Sequence, residues 1–414
     1  MPSTSLVQSV RPTWLILLGA SVMLSLAMGL RQSLGLFMTP LTRDIGVSIS
    51  EFTVAISVQN LAWGILQPIV GAWTVRLGYG RVMVVGSVLY LAGLVMLTLA
   101  QGFLSVLIGA GVLIGAALAC TASAVALSVS ARATPPAVRS AMLGIVSAAG
   151  SAGALISAPI GQLLIATGGW RLGVGGFALL ATLMVPMAIM AGRVDRLPEE
   201  KTPARAGGEG GTAWEATRIA LANPAFMIMT AAYFVCGMQL VFLTTHLPSY
   251  LALCGMDPML SAEALATIGG FNILGSLFFG WAGGRWNKLA LLGGIYVVRS
   301  AVLLLYFWFP PTPAGTLLFA ALMGFTWLGV APLVAGFVAE TFGLRWQTMI
   351  QGIAFVSHQL GSFLGALGGG LVFDTFGSYD LAWRVGVAVG VTAGIVQIAT
   401  ALVRRPEPPL AAAT

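Results

Sequence analysis

The stretch GIVSAAGSAGALISAPIGQLLIATGGWR, residues 144–171, returns about 208 residues later as GIAFVSHQLGSFLGALGGGLVFDTFGSYDLAWR, residues 352–384. Gly144-Ile145, Gly153, Gly161 and Thr167 fall on Gly352-Ile353, Gly361, Gly369 and Thr375. Trp170-Arg171 recurs as Trp383-Arg384 after a short insertion, and Gly71 through Arg76 matches Gly280 through Arg285 at nearly the same spacing. Glycine alone recurs by chance in apolar helices; glycine, a Trp-Arg pair and a loop arginine agreeing at one offset point to a duplicated chain. Two parallel copies of a helix set are the sequence signature of a membrane repeat.

Composition places that repeat in lipid. Of 414 residues, 58% are hydrophobic and only 8% charged, and the mean hydropathy is +0.94. A soluble domain carries about 25% charged residues, so this chain lacks the polar surface to solvate a globule. Long apolar runs broken by Gly, Ser, Thr or Pro suit helices that satisfy their own backbone in hydrocarbon. A soluble enzyme, a nucleic-acid binder and a secreted disulfide scaffold are excluded. The net charge of +7 comes from basic residues scattered singly in short loops, never as a patch interleaved with aromatics. Cys120, Cys236 and Cys254 are odd in number and show no metal or redox spacing.

One crossing takes about 20 apolar residues. The predicted spans are 13–39, 51–73, 82–100, 104–130, 140–165 and 171–191, then 225–253, 262–283, 289–309, 313–339, 347–373 and 381–403. The first is too long for a signal-peptide core, because Arg31-Gln32-Ser33 continue the same helix. The fold expected is an all-α membrane protein of twelve transmembrane helices in two pseudo-symmetric six-helix halves. Residues 1–192 form the N-terminal half and 223–414 the C-terminal half. Between them, 193–222 mixes charge with Gly and Pro, as in Arg193–Lys201 and Gly207–Gly211, and reads as a flexible cytoplasmic linker.

Orientation follows the basic residues. With a cytoplasmic N-terminus, fifteen of the 20 Lys and Arg lie inside, among them Arg76, Arg81, Arg132, Arg139, Arg193, Arg285 and Lys288. Three lie outside (Arg43, Arg171 and Arg384), and Arg31 and Arg299 remain within spans. This is the positive-inside asymmetry of an even number of spans. It places the protein in the cytoplasmic (inner) membrane with both termini cytoplasmic.

Gly71-Ala72-Trp73-Thr74-Val75-Arg76-Leu77-Gly78-Tyr79-Gly80-Arg81 resembles the loop between spans two and three of the major facilitator superfamily, with Val75 where that family usually has Asp. The resemblance covers essentially the whole chain and implies the major facilitator fold, in which spans one, four, seven and ten line a cavity. Three further segments resemble bacterial monocarboxylate-porter and oxalate/formate-antiporter relatives: Gly29–Phe37, Thr245–Leu251 and Ser357–Gly365. The likeness implies carriage of a small organic anion with a proton or in exchange for another anion. Departures accompany it. The Asp and Arg that monocarboxylate transporters pair in span eight align with Asn272 and Ser276, and their span-one Lys aligns near Leu36.

A charge at the bilayer centre costs about 2.5–3.5 kcal/mol or more, so each ionisable residue there needs a reason. Arg31, His246, Arg299 and His358 fall well inside spans, whereas Glu263, Glu340 and Asp374 lie near span ends. Buried arginines with no acidic mate suit an anionic ligand, since the ligand supplies the missing charge. Arg31 can hold a carboxylate bidentately; the competing role is an arginine reaching the interface or helix-end carbonyls. Arg299 sits in span nine, where packing or gating competes with substrate contact. His358, His246, Gln359 and Asn272 are the other candidate substrate contacts. His358 and His246 are also the candidate proton carriers, since histidine changes charge between pH 5 and 8; a neutral imidazole bonded between helices is the alternative. Gln59, Asn60, Trp63 and Gln67 in span two and Ser276 in span eight serve either the cavity or helix association.

The expected function is a secondary active transporter, not an enzyme, moving a monocarboxylate-like anion by alternating access, as proton symport or anion exchange. An exporter of hydrophobic or cationic compounds is the alternative on the same fold, and a transport-like sensor a third. No metal-ligand cluster or nucleophile–base pairing is visible in the sequence, so no cofactor and no metal are expected. The expected partners are the anion, protons as coupling ion and the lipid bilayer, without nucleic acid, and the chain is expected to be a monomer.

Overall fold

The computed structural model describes residues 8, 10–198 and 211–403. All of its regular structure is helical. Six membrane helices come first: α1 (Trp14–Ile45), α2 (Ile49–Leu77), α3 (Tyr79–Thr98), α4 (Phe103–Ala133), α5 (136–167) and α6 (170–196). Six follow: α7 (Pro224–Leu253), α8 (Pro258–Ala282), α9 (Lys288–Trp308), α10 (Pro313–Phe342), α11 (Gln347–Phe376) and α12 (Asp380–Val403). The α5–α6 turn is made at Gly168 and Gly169; Gly169 has φ +76°, a conformation open to glycine. α11 is long enough to cross a membrane but carries Gln347, Gln351, His358 and Gln359 among its apolar residues.

Nine of the twelve helices begin one to four residues earlier than predicted, several of them because their caps are polar and fall outside the apolar runs. Ser48 and Glu51 form a reciprocal capping box at the start of α2, at 3.2 and 2.8 Å. Asn223, Asp257, Asn287 and Thr312 each accept a backbone N–H at the start of α7, α8, α9 and α10, with proline next in line for α7, α8 and α10.

The predicted linker is structured on both described sides. Gly192–Arg196 forms a 3₁₀ turn ending α6, and Asp195 accepts the backbone N–H groups of Tyr79 and Gly80, both at 2.9 Å. A carboxylate thus sits on the N-terminus of α3, where the helix dipole favours it. Ala213–Ala222 forms a short helix, capped by Thr212 and packed through Ala216 and Ala220. The charged and Gly-rich centre, 199–210, lies outside the described residues, as do Arg404 and Arg405.

Each set of six helices encloses its own buried side chains. The first core includes Met23, Leu34, Phe37, Tyr90 and Phe177. The second set holds two, one around Phe226, Tyr296 and Phe337 and one around Leu243, Tyr306 and Trp383. The sets meet through α2 against α11 and α5 against α8. A Cβ on Gly71 would lie 2.5 Å from Met349 Cα, one on Gly352 2.6 Å from Pro68 N, and one on Gly144 2.7 Å from Gly280 Cα. Only bare backbone fits there. Ser140 Oγ donates to Gly280 O at 2.8 Å, and Tyr79 and Thr348 share a hydroxyl bond at 3.0 Å. These approaches fall toward the end of the bundle whose loops carry Arg76, Arg81, Arg139 and Arg285, the basic end.

Two helices are broken at corresponding places in the repeat. α4 breaks at Ala122 (ψ −161°) and α10 at Leu328-Gly329. Both breaks leave carbonyls without intrahelical partners, and side chains from neighbouring helices answer them.

Candidate functional site: the arginine at the centre of α1

Regular α-helix in α1 ends at Gln32, and Ser33–Phe37 continue as a 3₁₀ turn. Arg31 therefore projects from the last α-helical turn, and Ser33 Oγ folds back onto Gly29 O at 2.9 Å. The guanidinium is half-buried. Its Nη2 donates to Asn60 Oδ1 at 2.5 Å, and its Cζ stands 5.1 Å from the Trp63 ring centre. Nε has no hydrogen-bond partner, and no described carboxylate pairs with the group. Among the described residues no acid neutralises this cation, which is held by one amide oxygen and one aromatic face.

Helical spacing puts Asn60, Trp63 and Gln67 on one face of α2, and the structure divides their duties. Gln67 accepts from Trp63 Nε1 and donates to Ala119 O beside the α4 break, each at 3.0 Å. Gln59 donates to Ala110 O at 2.6 Å. Both glutamines bind α2 to α4. Asn60 instead faces Arg31, and its own carbonyl accepts from Gln359 Nε2 of α11 at 2.8 Å. Gln359 thus joins the second six helices to the arginine's partner.

His358 lies beside it. Its ring stacks on Phe355, with centres 5.5 Å apart and planes at 11°, and faces Tyr233 of α7 at 4.7 Å. Nδ1 is 3.3 Å from Gln359 Oε1. Phe355 in turn packs on Trp63 at 4.6 Å. Arg31, Asn60, Gln359 and His358 are therefore brought together, with an aromatic wall between them.

The other candidates bond to different groups, although Arg299 and His358 share Cys236 as a neighbour. Arg299 is 0% exposed. Its Nη2 donates to Thr326 O at 2.6 Å, at the α10 break, and its Nη1 to Cys236 Sγ at 3.2 Å. Asn272 Oδ1 accepts from Leu328 N at 2.9 Å at the same break, and Ser276 shares a bond with Ser147 across the two sets of helices at 3.3 Å. His246 is bonded through Nε2 to Ala366 O at 2.9 Å, between the rings of Phe242 and Tyr379. Phe355 and Tyr233 escaped the sequence reading, since an aromatic in an apolar span is ordinarily packing. The available signal was Phe355 three residues before His358, which puts both on one helix face.

The model of the Major Facilitator Superfamily matches residues 16–366 of this chain. The chain belongs to that superfamily. The transporter is 25% identical over 398 residues to the MFS-type transporter YcxA of Bacillus subtilis (strain 168), covering 94% of this chain and 95% of the relative. It is 23% identical over 379 residues to monocarboxylate transporter 13 of Rattus norvegicus, covering 90% and 85%. Among solved structures it resembles the fucose:proton symporter FucP of E. coli, with a TM-score of 0.71 and 15% identity over 96% of this chain and 100% of that one. At that identity the likeness carries the fold. The twelve-helix major facilitator architecture read from the sequence holds, and the transporter is a multi-pass membrane protein.

Proposed function

We propose that this transporter carries a small organic anion of the monocarboxylate kind by alternating access. The observation that carries the reading is Arg31: half-buried, its Nε without a partner and no carboxylate bonded to it among the described residues. A carboxylate offers two oxygens to the guanidinium edge and supplies the countercharge the protein leaves out. Asn60 orients the fork, and Gln359, reaching Asn60 from the other six helices, lets an anion at Arg31 be sensed by both halves. His358 is the favoured group for carrying a coupling proton or donating to the anion, because it adjoins Gln359. His246, held by Ala366 O, is the weaker one. Arg299 and Asn272 act on the α10 break and contribute indirectly.

In this reading 1–192 and 223–414 are the rocking bodies, joined by 193–222. The basic end is cytoplasmic, both termini lie there, and the protein works as a monomer in the inner membrane. Closure of the basic end by α2–α11 and α5–α8 corresponds to a state in which Arg31 is reached from the opposite side. Proton symport and anion exchange are both compatible with the site; counterflow with and without a pH gradient distinguishes them.

The test is uptake of labelled monocarboxylates by purified protein in liposomes, with Arg31→Gln alongside. Saturable wild-type uptake is expected, lost in the replacement while the protein still elutes as a folded monodisperse species. Wild-type rates for Arg31→Gln remove the arginine from the site. Uptake of cations or neutral apolar compounds in place of anions returns the exporter reading.

A further inference from the structure

Resting on the anion reading of Arg31, we infer that the preferred anion is an aromatic carboxylate, its ring received by the wall of Trp63, Phe355, Tyr233 and His358. The guanidinium carbon of Arg31 already lies 5.1 Å from the Trp63 ring centre. A carboxylate bound to the guanidinium has, as its next neighbours, a continuous run of π surface. Trp63 and Phe355 stand 4.6 Å apart at 51°, Phe355 and His358 5.5 Å apart at 11°, and Tyr233 and His358 4.7 Å apart at 56°. Tilted and offset arrangements like these present both faces and edges, the geometry into which a further ring packs favourably. Excluding water from an aliphatic acid needs only leucine or valine, which abound in this chain. Four rings drawn from three helices at one point supply something more.

The second support is the ownership of the rings. Trp63 belongs to α2, whereas Tyr233 belongs to α7 and Phe355 and His358 to α11. Phe355, His358 and Tyr233 are each only half-buried, so part of their surface is left for another group. An anion whose carboxylate is held by Arg31 and whose ring is held by α7 and α11 touches both halves with different parts of itself. Its contacts then differ between the two rocking states, which is the requirement for a ligand to shift that equilibrium.

The experiment compares binding of benzoate, its ring-saturated counterpart cyclohexanecarboxylate, and propionate to full-length protein in detergent, by isothermal titration with thermal shift as a second readout. Each is repeated with Phe355→Leu, Tyr233→Leu and Arg31→Gln. Benzoate is expected to bind at least tenfold more tightly than cyclohexanecarboxylate. The ratio is expected to fall toward one in Phe355→Leu or, should that variant not fold, in Tyr233→Leu. Equal affinities for the two ring acids in the wild type, with binding still lost in Arg31→Gln, overturn the aromatic preference and leave the anion reading standing. Binding that survives Arg31→Gln, or no binding of any carboxylate, overturns both.

Discussion

Two arginines sit inside the membrane-spanning helices of this transporter, and in the sequence they look alike: Arg31 in Gly29-Leu30-Arg31 and Arg299 in Val297-Val298-Arg299. Neither has an acidic mate among the described residues, and Nε of each is unbonded. Their surroundings separate them. Arg299 is completely enclosed, its charge spread over Thr326 O, Trp327 O and Cys236 Sγ. A broken helix supplies it with a cluster of carbonyl dipoles, the C-terminal end that attracts cations. Arg31 has one amide oxygen and one indole face, and the residue as a whole is half-buried where Arg299 is enclosed. The lesson is that a buried cation marks a ligand site only where the protein has not already answered its charge.

Each prediction probes that contrast. The largest effect is expected for Arg31→Gln. Two charge-assisted bonds of about 1.5–3 kcal/mol each, at 1.4 kcal/mol per tenfold, imply at least about a hundredfold loss of anion affinity with little change in melting temperature. Arg299→Met is expected to do the reverse. It strands the Thr326 and Trp327 carbonyls in a wholly buried place, destabilising the protein by about 2 kcal/mol, while the folded fraction binds anion nearly as well as wild type. A titration on Arg299→Met protein that has lost affinity without losing stability breaks the comparison. Asn60→Ala sharpens it: with its amide partner gone, the Arg31 fork loses its orientation, and KM for uptake rises by about fivefold. The smallest effect belongs to Asn272→Ala, which leaves Leu328 N–H without its acceptor at the α10 break. A loss of about 1 kcal/mol in stability and no change in KM is expected.

The fold was legible because it is written in long-range patterns: twelve apolar runs, one repeat offset and a one-sided distribution of arginine. What failed at finer grain failed for local reasons. Helix starts were placed late because Ser48, Asn223, Asp257 and Asn287 are polar residues whose capping role is invisible to hydropathy. Asp195 was assigned to the linker because its partners, the N–H groups of Tyr79 and Gly80, are more than a hundred residues away. Asp195 also places a carboxylate against the loop where Val75 stands in for the family's usual Asp.

At the candidate site, Arg31 and His358 stood out because an ionisable residue in a lipid span is costly and therefore conspicuous. Ranking Arg31 above Arg299 on structural grounds needed the α10 break, whose carbonyls emerge only when Leu328-Gly329 is seen to interrupt the helix. The aromatic wall was illegible for the opposite reason. Tyr233 and Phe355 cost nothing in an apolar span, so their presence raises no question until His358 is found stacked between them.

The contact between the halves at the basic end has a consequence for kinetics. Gly71 with Met349, Gly352 with Pro68 and Gly144 with Gly280 press main chain on main chain, with two hydroxyl bonds at Ser140 and Tyr79. The contacts named here contain no ion pair, so their share of the rate at which this end unseals is expected to be indifferent to ionic strength. It is governed by shape: a single methyl group introduced at Gly280 acts as a wedge, propping the two surfaces apart and holding the carrier with its opposite mouth shut.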